Sequence, residues 1–311
     1  MTPNEQQAIL ALSLMAAFSD GDKDVREREQ IRQIAENMAP AGDPNLIGPY
    51  QDVLLKRRTL EDSVAALTSP ETRQLAYEMA VCVCDADGVR SAAENEFLQG
   101  LSAALALDDG QSQTFAATAD ELAAVPLTAA KTGVKTFSAV DTDELDKSVL
   151  NYAILNGALE LLPESLASMA ILPLQMKMVY GIGKAYGYEL DRGHIKDFAA
   201  TLGIGMTGQY VEQMGRKLFG GLLGKLGGGL LGGIGSEATG AVFSFATTYA
   251  LGKVAQQYYA GDRSIETADL KQIFSDMLKQ GRQLQVQYSG QIKEKAQNID
   301  VSQLIGMVKG K

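Results

Sequence analysis

The chain of 311 residues has no tryptophan, one histidine, two cysteines and eight prolines. Each scarcity excludes something. A single histidine excludes a two-histidine metal ligand set. Two cysteines exclude a Cys-rich zinc module and a disulfide framework within one chain. Cys82 and Cys84 are two apart, not three as a Cys-x-x-Cys redox pair requires, and read as core thiols. Basic charge is also short: 28 Lys and Arg against 38 Asp and Glu leave a net charge of −10, which speaks against nucleic acid as a partner. Met1-Thr2-Pro3-Asn4-Glu5 lacks the basic start of a signal peptide, so the expected compartment is the cytoplasm, with association to the inner membrane open to the apolar second half.

What is present is unevenly spread. Residues 1–125 hold 21 acidic and 9 basic side chains, whereas the remainder holds 17 and 19. Fifteen of the 32 glycines fall between Gly203 and Gly252. The economical reading is an all-α chain with an acidic helical domain over 1–125, a linker or lead-in helix over 126–150, a glycine-rich helical domain over 151–262 and a helical tail over 263–311.

The acidic domain contains an internal duplication. A helix capped near Asn4 and running to about Ser19 is followed by Asp20-Gly21 and a helix over about Val25–Met38. The pattern returns 67 residues later: a helix from Thr72 to about Cys84, then Asp87-Gly88, then a helix over Ser91–Leu105. Asp20 aligns with Asp87, Glu27 with Glu94 and Ile31 with Leu98. Neither helix pair buries its apolar face alone, so the two pack on each other.

Two readings of the acidic residues stand side by side. Glycine supplies the left-handed turn that ends one helix, and carboxylates favour the positive start of the next. Alternatively, Asp20, Asp22, Asp24 and Glu27, with Asp87 and Glu94 in the second copy, hold a divalent cation, calcium, magnesium or manganese. An EF-hand is excluded, because Val25 and Ile31 stand where its glycine and twelfth-position glutamate belong. The doubled motif, Ala17-Phe18-Ser19-Asp20-Gly21 with Glu27-Arg28-Glu29 and Asp85-Ala86-Asp87-Gly88 with Glu94-x-Glu96-Phe97-Leu98, resembles the tellurite-resistance TerB family over roughly residues 3–120. That resemblance implies an all-α domain built on a repeated helix pair, with links to metal sensing and stress response near membranes.

The second half turns apolar from about Val149, with a long apolar stretch from Leu166 to Tyr186 and a shorter amphipathic helix over Asp191–Leu202. His194 in that helix has no nucleophile beside it and reads as a surface residue. Gly220, Gly224, Gly228, Gly232, Ser236 and Gly240 recur every four residues, a glycine zipper that lets a second helix approach closely. Nine of the sixteen residues Gly220–Gly235 are glycine. At about 0.8–1 kcal/mol each relative to alanine, a lone helix there carries a cost of about 7–9 kcal/mol, comparable to the stability of a domain. The segment therefore needs a packing partner or a bilayer, unless it is an irregular loop. A phosphate loop is excluded because Leu226 follows Gly224-Lys225 where a hydroxyl is required.

Leu161-Leu162-Pro163, the block Ile171-Leu172-Pro173-Leu174 through Tyr180, Ile182-Gly183 and Tyr186-Gly187, and Thr247-Thr248-Tyr249-Ala250-Leu251-Gly252 with Val254-Ala255 and Tyr258 resemble the YcjF-like GTPase-associated family over about 151–281. The resemblance implies a hydrophobic domain that contacts membrane and works beside a GTPase, here a separate partner. In the tail, Val301, Leu304, Ile305 and Val308 mark a short amphipathic end that docks on the body or on a surface.

These readings converge on a non-enzymatic, stress-associated adaptor that is divalent-cation responsive. It contacts a membrane surface or membrane protein, or self-associates into a homo-oligomer through the zipper. A membrane-active or pore-like effector is the alternative, and an enzyme that gathers the scattered carboxylates the third.

Overall fold

The computed structural model describes residues 1–19, 44–124, 140–162, 165–202 and 236–309. Every regular element among them is helical, as expected of an all-α chain. The chain divides into two compact units. The described part of the first lies within residues 1–124, and that of the second within 140–309.

The first unit is organised by two helices of equal length. Helix α1 (Pro3–Ala17) and helix α4 (Pro70–Cys84) each span 15 residues and start 67 positions apart, the offset of the repeat. Their starts are built alike. Thr2 caps α1 and Ser69 caps α4, each accepting the N–H three residues on, and each is followed by proline at the first helical position, where no N–H is needed. The cap of α1 is thus Thr2 rather than Asn4. The reason is local: Glu5 closes a capping box by accepting the Thr2 N–H at 2.7 Å. Helix α1 is buried on all sides by Ala8, Ile9, Leu10, Ala11, Leu12 and Leu14, and α4 buries the run from Met79 to Cys84. The two pack on each other, with α2 (Pro44–Leu54) and α3 (Leu60–Ala65) also against α1. Helices α5 (Ala92–Ala104) and α6 (Asp109–Ala123) pack on α4. The helix expected over Val25–Met38 lies outside the described residues.

In the second unit, helix α11 (Ser236–Ala260) is central. It packs against α7 (Thr142–Glu160), α9 (Ile171–Ala185) and α12 (Thr267–Gln297). Asp141 caps α7 by accepting the N–H groups of Asp143 and Glu144, so the span 126–150 contains the first turns of this helix. The apolar stretch from Leu166 divides into α8 (Ser165–Met169) and α9 at Ala170. Pro173 explains the break, because it has no N–H to give to the carbonyl four residues back. Helix α10 (Arg192–Thr201) is capped by Asp191, and His194 is exposed in its first turn. A final helix, α13 (Leu304–Lys309), buries Leu304 and Val308. The Lys177 ammonium on α9 donates to the carbonyls of Met307 and Val308 at 3.2 and 2.9 Å, which fastens that helix at its carbonyl end.

Three glycines in this unit permit close approach. A Cβ on Gly281 would lie 2.9 Å from Ala246 Cα and 3.0 Å from its carbonyl oxygen. One on Gly252 would strike Val149 Cγ1 at 2.6 Å, and one on Gly183 would strike Leu190 Cδ1 at 2.2 Å. Helices α12 and α11 therefore meet backbone to backbone at Gly281, and α11 and α7 meet at Gly252.

Candidate functional sites

The first unit shows the second copy of the acidic motif around Asp85, Gly88, Arg90 and Glu94. Asp85, in a short 3-10 turn (Asp85–Asp87), receives two hydrogen bonds from Arg90: Nε to Oδ1 at 2.9 Å and Nη2 to Oδ2 at 2.6 Å. Arg90 Nη2 also donates to the Ala116 carbonyl on α6 at 3.2 Å. One guanidinium thus ties the turn after α4 to α6. The pair is buried, with the Asp85 side chain 1% exposed and that of Arg90 12%. Burial raises the Asp85 carboxyl to about 6 despite the two bonds from Arg90, and the nearby acids Asp120 and Glu94 push in the same direction. Gly88 follows at φ 79°, the left-handed turn that the sequence requires.

Glu94 is buried and accepts the Ser91 N–H at 2.7 Å, while Ser91 accepts the Glu94 N–H at 3.1 Å. This reciprocal pair starts α5. Of the two readings for the acidic residues, capping is the one the geometry gives at Glu94. Asp87 lies in the 3-10 turn. Asp20, Asp22, Asp24 and Glu27 lie outside the described residues. Among the described residues, no three His, Cys, Asp or Glu side chains come together in a way that could hold a metal ion.

Glu5 takes a second role that its sequence position did not suggest. Its Oε1 accepts from the Thr68 hydroxyl at 2.7 Å and from the Thr68 N–H at 3.3 Å, so the start of α1 is bound to the residues just before α4. The Thr2 N–H, then the Thr68 hydroxyl, hold its carboxyl at about 2.

In the second unit, a groove of about 1060 Å³ runs between α7, the end of α12 and the final helix. Tyr152, Leu155, Leu174 and Met307 give it an apolar floor, and Lys147 and Glu294 are among its polar lining. No motif announced it, because its walls come from four separate elements. The zipper residues Gly220, Gly224, Gly228 and Gly232 lie outside the described residues, while Ser236 and Gly240 fall in the first turns of α11. The stretch Ser165–Ala185 is the one helical segment among the described residues long and apolar enough to cross a membrane, with a mean hydropathy of 1.2 in its best window. That window is 78% buried inside the unit, as in a core helix.

Residues 1–119 match the family model described as a protein of unknown function, DUF533. This is a TerB-like family, so the resemblance carried by the doubled acidic motif is supported over the first unit. The match ends before the second unit, and nothing in it bears on the YcjF-like resemblance. No curated protein matches the chain, and no solved structure matches it.

Proposed function

We propose that the protein is a non-enzymatic adaptor of the bacterial stress response, in which the DUF533-like first unit is joined to a second unit that captures a partner segment. The observation that carries this reading is the groove between α7, α12 and α13. Its apolar floor and mixed-charge rim suit an amphipathic helix with apolar residues at helical spacing. The partner is a membrane protein or membrane-bound GTPase on the cytoplasmic face of the inner membrane, the latter suggested by the YcjF-like resemblance. A divalent cation on Asp20, Asp22, Asp24 and Glu27 would regulate capture, and the glycine zipper would join copies of the chain.

A photo-crosslinking residue in place of Tyr152, with the full chain expressed in cells, tests capture. One discrete adduct with a membrane protein, lost when Leu155→Arg places a charge on the groove floor, is the expected result. Diffuse labelling, or an adduct indifferent to Leu155→Arg, overturns the reading. A second reading, a membrane-active effector, draws on the apolar stretch Ser165–Ala185. It requires α8 and α9 to leave their buried positions, and it predicts dye release from liposomes and retention on membranes through a carbonate wash.

A further inference from the structure

Helices α7, α9 and α11 enclose a polar seam inside an apolar core. Asn156 and Glu160 lie one turn apart on α7, and Ser244 and Thr248 lie one turn apart on α11. They pair crosswise. Asn156 Nδ2 donates to Thr248 Oγ1 at 3.0 Å, and Ser244 Oγ donates to Glu160 Oε2 at 3.0 Å. Gln175 Nε2 on α9 also donates to Thr248 Oγ1 at 3.0 Å. Asn156 and Thr248 are 0% exposed, Ser244 1% and Glu160 5%.

No basic side chain among the described residues bonds to the seam. Among the described residues, Glu160 Oε1 and Asn156 Oδ1 are buried without a hydrogen-bond partner, as is Thr247 Oγ1 on α11. Burying a carboxylate without compensation is strongly unfavourable, so an orphaned oxygen of this kind calls for an ion or a water. Two lysines of the surrounding helices are engaged elsewhere: Lys177 with the carbonyls of Met307 and Val308, and Lys253 with Asp146 at 2.7 Å. Glu160 is also the last residue of α7, where the helix presents its negative end. A water would satisfy the acceptors yet leave the charge. A divalent ion would exceed the single carboxylate.

We propose that the seam binds one dehydrated monovalent cation, sodium or potassium, with Glu160 Oε1 and Asn156 Oδ1 as its principal ligands. The ion neutralises the carboxylate and cross-links α7 to α11. The oxygen-only donor set suits hard cations. This site is independent of the groove and of the acidic loops in the first unit.

The test is thermal unfolding of the full chain in sodium, potassium or choline chloride at equal ionic strength. Sodium or potassium raises Tm saturably by about 2–4 °C over choline. Glu160→Gln, which keeps the acceptor facing Ser244 and removes the charge, abolishes the difference, whereas Glu144→Gln on the exposed start of α7 retains it. Equal stabilisation by choline overturns the proposal and leaves a buried water or a protonated carboxyl. Survival of the difference in Glu160→Gln overturns it as well. Sodium and thallium NMR on the wild-type chain provides a readout that does not depend on the variant folding: competable broadening of at least one of the two resonances supports the site, and its absence from both overturns it.

Discussion

At the residue scale, two carboxyls in the first unit pull the pH dependence of stability in opposite directions. Asp85 is raised from 3.8 to about 6 in the folded chain, so the folded state holds the extra proton between those values. Its contribution is therefore unfavourable above about pH 6 and is relieved as pH falls through 6 towards 4. A displacement of that size corresponds to about 3 kcal/mol at most. Glu5 is lowered from 4.5 to about 2, so its stabilising contribution is present above about pH 4.5 and is lost as pH falls towards 2. Denaturant unfolding from pH 7 to pH 5 should show the wild type gaining stability relative to Asp85→Asn. Between pH 4.5 and pH 2, the wild type should lose stability relative to Glu5→Gln. Parallel profiles for wild type and Asp85→Asn would show that the Arg90 pair, not burial, governs this carboxyl.

At the scale of elements, the glycines of the second unit divide into those that allow contact and those that do not. Gly281→Ala places a methyl group against the backbone of Ala246, which cannot rotate away, and forces α12 off α11. The expected cost is about 1–3 kcal/mol. Gly290→Ala on the same helix meets nothing within 4 Å and should stabilise by up to about 1 kcal/mol, because alanine is the better helix former. Chemical denaturation of the two variants reads the contrast, and equal effects would remove the case for close approach at Gly281. This contrast also marks what the sequence could show. The spacing of four made Gly220 to Gly240 conspicuous, whereas Gly183, Gly252 and Gly281 are far apart in sequence and become contact points only when α7, α9, α11 and α12 assemble. The duplication was legible because both copies carry the same aspartate–glycine pair and, after it, matched acidic and apolar positions, Glu27 with Glu94 and Ile31 with Leu98. The shared hydroxyl cap with proline, Thr2-Pro3 and Ser69-Pro70, emerged only from the structure. The Asp85–Arg90 pair was not legible: at the offset of 67 Arg90 falls on Lys23, but Asp85 falls on Phe18, and the third bond of Arg90 reaches α6. The groove and the polar seam were likewise invisible, since each is composed of residues that look like ordinary helix faces until several helices meet.

At the scale of the whole molecule, cooperativity decides how many folding bodies the chain contains. Each unit has its own fully buried residues: Ile9, Leu12 and Leu101 in the first, Leu159, Ile171 and Phe245 in the second. A core of that kind unfolds as a body, and two bodies give two transitions unless an interface couples them. Leu101→Ala, at a position with 0% exposure, should destabilise the first unit by about 2–5 kcal/mol through the cavity it leaves. Gly281→Ala should act on the second. The chain has no tryptophan, so fluorescence offers no indole reporter, and hydrogen exchange read by peptide is the suitable measurement. In rising denaturant, Leu101→Ala should advance exchange across Pro70–Cys84 and leave Ser236–Ala260 unchanged, and Gly281→Ala should do the reverse. If either substitution advanced both helices together, the two units would share one cooperative transition. The acidic charge of the first half and the glycine of the second would then belong to a single folding body rather than to two.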